Sequence, residues 1–255
     1  MNRLQLELHR LYVPQGPEDA GGEAGEPGMI QAGGRVRAMV LELARPADWG
    51  AVSKVWQGVQ TDLDLPAPAI AVSGTDGYQL WFSLLSPLPA PVAGDFLEAL
   101  RLRYLGGIKV DRVSLLPAPD ATSPPLIRHA RPVPGPQEIS GHWSAFVAPD
   151  LAPMFADEPW LDMPPNEDGQ SRLLSRLKSI LPADFQHALE LLRSARTPQL
   201  PELALENSLT DGLGAGPLDP RAFLLGVMND ETVALGLRIE AAKALLHDTT
   251  GSGRR

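Results

Sequence analysis

At 255 residues, with 44% apolar and 5% aromatic side chains, the chain is long enough for one or two domains around a sizeable core. It contains no cysteine, which excludes disulfide scaffolds, thiolate metal sites, Cys nucleophiles and thiol redox chemistry, and fits a reducing cytoplasm. Lys and Arg number 22 against 31 Asp and Glu, and the net charge of −9 opposes indiscriminate coating of nucleic acid while leaving room for a local basic groove.

The start, MNRLQLELHRLYV, alternates apolar and polar residues, which predicts a strand over Leu4–Val13 and lacks the basic head and apolar block of a signal peptide. Residues 14–33 then offer almost nothing apolar to bury, so a mobile loop is expected. Arg35–Leu43 alternates again and is expected to pair with the first strand as a wide hairpin. Beyond Pro46, Trp49, Val52, Val55, Trp56 and Val59 recur at helical spacing with Asp48 as cap. Two apolar runs flank Ser73-Gly74-Thr75-Asp76-Gly77, whose glycines suit a tight hairpin, the second run ending at Pro87.

Val92, Phe96, Leu97, Leu100 and Tyr104 mark an amphipathic helix over Pro91–Tyr104, closed by Gly106-Gly107. A strand over Val110–Leu116, a Pro-rich crossing over Pro117–Pro136 and a short strand over His142–Val147 follow. From about Gly169 the texture becomes helical, with Asp219-Pro220 opening a further helix after a weakly patterned linker over Pro198–Pro217. The order predicts an α+β class, a mainly antiparallel sheet with helices on one face. The expected organisation is a core over residues 1–165 and a helical C-terminal region over 166–250. Its 26 Pro and 24 Gly concentrate in these connections. The most apolar stretch, Leu80–Pro91, is interrupted by Ser83, Ser86, Pro87 and Pro89, well short of the ~20 residues of a membrane span.

Three pieces between Val40 and Phe155 resemble the core of the archaeo-eukaryotic primase (primase-polymerase) superfamily. MVLELARPADW resembles that family's acid-bearing strand, loop and Trp; Ser73 to Phe82 resembles its Ser-Gly-x-x-Gly-x-His hairpin; KVDRVSLLP resembles its third strand, with Asp111 as the acid. LIRHARPVPG and SGHWSAFV resemble the segment before the last core strand. The resemblance implies carboxylates holding two Mg²⁺ or Mn²⁺ ions about 4 Å apart at Glu42 and Asp111. It implies triphosphate contacts from Ser73, Gly74, Gly77 and Gln79, and further phosphate contacts from Arg128, Arg131 and His142. The chain departs from the pattern at the paired acids, which read Glu42 and Ala44, and at the hairpin His, which is Gln79. One carboxylate and the phosphate-facing imidazole are therefore missing, too little to hold two hard cations.

The helices after Asp219 resemble small phage DNA-packaging proteins; as residues they read as the buried faces of two packed helices. The five His show no paired metal-ligand spacing, and neither Gly-x-Ser-x-Gly nor a P-loop occurs. Arg128, His129 and Arg131 form a basic cluster that is expected beside Trp143, suited to phosphates and a stacked base. The expectation is a cytoplasmic, catalytically inactive primase-polymerase-like protein that binds single-stranded nucleic acid or nucleotide and no membrane. The alternatives are an assembly protein that recruits a protein partner through its C-terminal helices, and an active divergent primase.

Overall fold

The computed structural model describes residues 1–14, 28–31, 33–119, 127–194 and 242–243. The chain divides into two compact units, Met1–Pro198 and Gln199–Arg255. The linker and the helices expected after Pro198 lie outside the described residues, as does most of the 14–33 segment.

The first element is a helix, α1 (Arg3–Tyr12), and not the strand that the alternation predicts. Leu4, Leu6 and Leu8 fit a period of two, whereas Leu4, Leu8 and Leu11 fit a helical period, and Leu6 is left exposed. The chain end decides between them: Asn2 Oδ1 accepts the Gln5 amide at 2.8 Å while Gln5 Oε1 accepts the Asn2 amide at 2.9 Å, a reciprocal cap available only to a helix. The expected wide hairpin therefore does not form. Its place on β2 (Arg35–Ala44) is taken by β1 (Ile30–Gln31), antiparallel with Ile30 opposite Val36.

Asp48 caps α2 (Trp49–Thr61), accepting the Ala51 amide at 2.9 Å, as expected. β3 (Ala69–Val72) and β4 (Gly77–Pro89) form the predicted hairpin, with β4 running past Pro87. α3 (Ala90–Tyr104) follows. Val110–Arg112 is a 3₁₀ turn, and only Val113–Leu116 pairs as β5. β6 (Ala118–Pro119), β7 (Ile127–Arg128) and β8 (Gly135–Pro136) punctuate the Pro-rich crossing before β9 (Trp143–Val147). The main sheet runs β1-β2-β4-β3-β9-β8, antiparallel throughout, with β5 on the edge of β2 beside β1.

The class is α+β, but helices cover both faces. On the first face Met39, Leu41, Leu43, Ile70, Val72, Leu80 and Phe82 meet Val52, Val55 and Val59 of α2, Phe96 and Leu100 of α3, and Phe185 and Leu189 of α5 (Pro182–Ser194). On the second, Ala38, Val40, Ala71, Trp81 and Phe146 meet Leu4, Leu11 and Tyr12 of α1 and Leu174 of α4 (Glu167–Ser175). Helix α4 is tied to β9, past the end of the short β8, by the buried Gln170, whose carboxamide bonds the Phe146 amide at 2.8 Å and its carbonyl at 2.9 Å. Those are the two backbone groups an edge strand would leave bare. Helices α4 and α5 thus pack on the sheet within the first compact unit, which runs to Pro198. None of the described helices is long and apolar enough to cross a membrane.

Candidate functional site

Alternation along β2 sends Glu42 to the second face, between Ser114 of β5 and Gln79 of β4, its partners in register. Gln79 is buried, and its Oε1 accepts the indole N–H of Trp81 at 2.9 Å, which leaves the amide nitrogen to donate to the Glu42 carboxyl. Burial pushes the Glu42 carboxyl up from its ordinary range, against the Gln79 bond; nearby Asp76 adds to the rise and Arg45 opposes it.

Asp111 stands at the same end of the sheet, exposed on the 3₁₀ turn before β5. It is Ser114 that faces Glu42, three residues on, and the groups acting on the Glu42 carboxyl are Gln79, Asp76 and Arg45. The Arg45 guanidinium bonds the Asp111 carbonyl, and Arg112 donates to the carbonyls of Ala44 at 3.2 Å and Pro46 at 2.8 Å, which fastens the turn to the end of β2. Among the described residues no three His, Asp or Glu side chains are placed to hold a metal ion. A two-metal centre at Glu42 and Asp111 does not fit this donor set.

The Ser73–Gly77 hairpin uses its own amides. Ser73 N–H donates to Gly77 O at 2.9 Å and Gly74 N–H to Pro159 O at 3.0 Å; those of Thr75 and Gly77 reach Ser73 Oγ at 3.2 and 3.0 Å. These four groups are committed, so the turn is no open phosphate cradle. The glycines serve chain contact instead. Gly74, at φ +80°, would put a Cβ 2.8 Å from the Ser144 nitrogen, and Gly77 would put one 2.7 Å from Leu43 O.

At the rim of this hairpin, Gln137 Nε2 donates to Ser73 O at 3.0 Å, and the His142 carbonyl accepts the Gln137 amide at 2.7 Å. The His142 ring lies flat on Trp160, 4.7 Å between centroids and 3° from parallel, with Nε2 3.8 Å from the Asp162 carboxylate. Trp160 is the residue that sequence reasoning missed. Its signal was an indole in a Pro-flanked segment, Glu158-Pro159-Trp160, too short to show periodicity.

The basic cluster of the crossing lies elsewhere. His129 is mostly buried, its Nδ1 accepting the Ala130 amide at 2.8 Å and its Nε2 3.0 Å from the Ala38 carbonyl. Those partners assign the neutral Nε2–H tautomer, and burial lowers its pKa, so it carries no charge to a phosphate. Its ring is 6.5 Å from Trp81, which replaces the expected neighbour Trp143. Arg128 and Arg131 are exposed on either side of it. This anchor at Ala38 is four residues from Glu42, roughly 13 Å along the strand. The structure therefore pairs Glu42 with Gln79 beside the hairpin, sets the His142–Trp160 stack at the hairpin's rim, and anchors the crossing that carries Arg128 and Arg131 at Ala38.

A desolvated carboxyl, a locked carboxamide and a stacked aromatic pair supply hydrogen bonding and ring stacking. No protein-family model matches the chain, and no curated protein sequence matches it.

Proposed function

We propose that this chain binds a nucleotide or short single-stranded nucleic acid at the hairpin end of the sheet without polymerising it, as a primase-polymerase-like core that has lost the reaction. One observation carries the reading. Glu42 and Gln79 are register partners on adjacent strands beside the Ser73–Gly77 turn, in the order the resemblance requires, with a carboxamide where the family's imidazole would stand. The Glu42 carboxyl, oriented by the locked Gln79 carboxamide, offers a base edge a hydrogen-bonding partner, and the His142–Trp160 stack offers a surface on which a base lies.

The test is titration of labelled single-stranded DNA and of nucleoside triphosphates, with and without Mg²⁺ or Mn²⁺, alongside primer extension. Binding is expected below about 100 µM, the weak end of non-specific nucleic-acid affinity. Trp160→Ala should weaken it by about 5-fold or more, the lower bound for loss of one stacked base. Absence of binding at that concentration overturns the reading, and so does primer extension that disappears in Asp111→Ala.

A further inference from the structure

At the opposite end of β2 and β4 lies an open pocket of about 640 Å³ lined by Arg10, Arg37, Leu85, Pro87, Lys178 and Ser179. Its floor is unusual in charge. Arg37 is only 7% exposed, yet its guanidinium meets carbonyls alone: Nε–H donates to Leu84 O at 3.0 Å, and the two terminal nitrogens to Val13 O at 3.1 Å and Arg10 O at 2.8 Å. No carboxylate pairs with it among the described residues. A guanidinium has five N–H donors, and these bonds commit three of them.

The neighbouring cations add to this charge. Arg10 reaches Leu174 O at 3.0 Å and Leu177 O at 3.2 Å, and its one acidic partner is Glu7 at 2.7 Å. Lys178 is exposed at the mouth. Among the described residues, three cations thus face one carboxylate in a chain whose net charge is −9. Carbonyl dipoles solvate a buried guanidinium but leave its charge uncancelled, and an oxyanion both cancels it and takes the spare donors in a fork.

The remaining walls narrow the ligand. Ser83 Oγ donates to Leu11 O and lies 2.7 Å from Ser179 Oγ, so the Ser179 proton is spent on Ser83 and recognition falls to the cations. Leu85, 52% exposed, and Pro87 give the mouth an apolar side. The volume falls within the range of small-molecule sites, about 300–1,000 Å³.

We infer that this pocket is an oxyanion site for a small phosphate-bearing molecule, its phosphoryl group held by Arg37 and Lys178 and its body lying against Leu85 and Pro87. The site is independent of the hairpin end. Arg37 and Glu42 are five residues apart on β2, roughly 16 Å.

The test is calorimetric titration of the full chain with inorganic phosphate, pyrophosphate and phenyl phosphate, with acetate as control. Pyrophosphate and phenyl phosphate are expected to bind at one site with Kd below about 1 mM and to raise Tm. Tighter binding of phenyl phosphate than of inorganic phosphate assigns the ligand as a phosphomonoester, and the reverse assigns free phosphate. Lys178→Glu, at an exposed position, should weaken binding by about tenfold, the loss of one charge-assisted bond. Arg37→Lys keeps the charge without the fork and should weaken it similarly in protein whose circular dichroism is unchanged. Trp160→Ala should leave it intact, which separates this site from the hairpin end. Absence of saturable phosphate binding, or Lys178→Glu binding like the wild type, overturns the inference.

Discussion

On the face covered by α2, α3 and α5, the inward residues of β2, β3 and β4 are apolar apart from the Tyr78 hydroxyl, which donates to Ala152 O at 2.6 Å. On the other face the same strands carry Ala38, Ala69 and Ala71, the large ring of Trp81, and then Glu42 and Gln79. The first face holds the molecule together by area. The second gives up area for polar groups at both ends of the sheet, Glu42 and Gln79 at one and Arg37 and Ser83 at the other, and that is where chemistry can be placed.

Phe96 tests the first half of this contrast. It is fully buried, edge-on to Phe82 at 6.1 Å and tilted against Phe185 at 4.9 Å, so it joins β4, α3 and α5. Phe96→Ala should cost about 3–5 kcal/mol in denaturant unfolding, the largest effect of any substitution proposed here. A cost near that of a surface change would remove the distinction between the faces. Gly74 tests the polar end. Gly74→Ala meets both a positive φ and the Ser144 nitrogen, and should cost about 1–3 kcal/mol while leaving the opposite pocket's phosphate binding unaltered.

A smaller effect of opposite sign is expected where the second face is imperfect. Tyr12 packs on Trp81 at 5.2 Å and Phe146 at 6.2 Å, and its buried hydroxyl has no hydrogen-bond partner among the described residues. Tyr12→Phe removes a desolvated donor while keeping the ring. A gain of about 1 kcal/mol should appear as a raised denaturation midpoint with an unchanged m-value.

The same contrast explains how far the sequence could be read. Helices α2 and α3 and the β3–β4 hairpin were legible because a cap at Asp48, an apolar stripe and a glycine turn each act locally. Helix α1 was not, because Leu4, Leu6 and Leu8 fit a strand, Leu4, Leu8 and Leu11 fit a helix, and the reciprocal Asn2–Gln5 cap decides between them. The second layer of helices was missed because β2 and β4 are buried on both sides, so Val40 and Trp81 gave no sign of which side lacked a cover. At the site, the alternation of β2 and β4 already placed Glu42 and Gln79 on one face. Their register as neighbours depends on a strand pairing more than 30 residues apart in sequence. The buried Arg37 was invisible for the same reason: its partners, Val13, Leu84 and Arg10, are brought to it by tertiary structure alone.

The subtlest difference between the faces is electrostatic and is read through pH. Burial raises the Glu42 carboxyl above its ordinary 4.5, so the folded protein binds that proton more tightly than the unfolded chain. The stability tied to it is complete below about pH 4.3 and is lost as pH rises through the folded value. His129 is shifted down from 6.5, so its contribution is complete above that pH and is lost as pH falls toward the lowered value. The two trends oppose each other in the wild type. They separate in Glu42→Gln, which keeps an acceptor for the Gln79 amide but has nothing to ionise, while His129 titrates in both proteins and cancels from their difference. Glu42→Gln should therefore be the more stable protein at pH 8, by less than about 1 kcal/mol, with the gap closing toward pH 4. A gap in Tm that stays constant across that range would mean that the Glu42 carboxyl is not desolvated, and that the polar end of the second face is open to water.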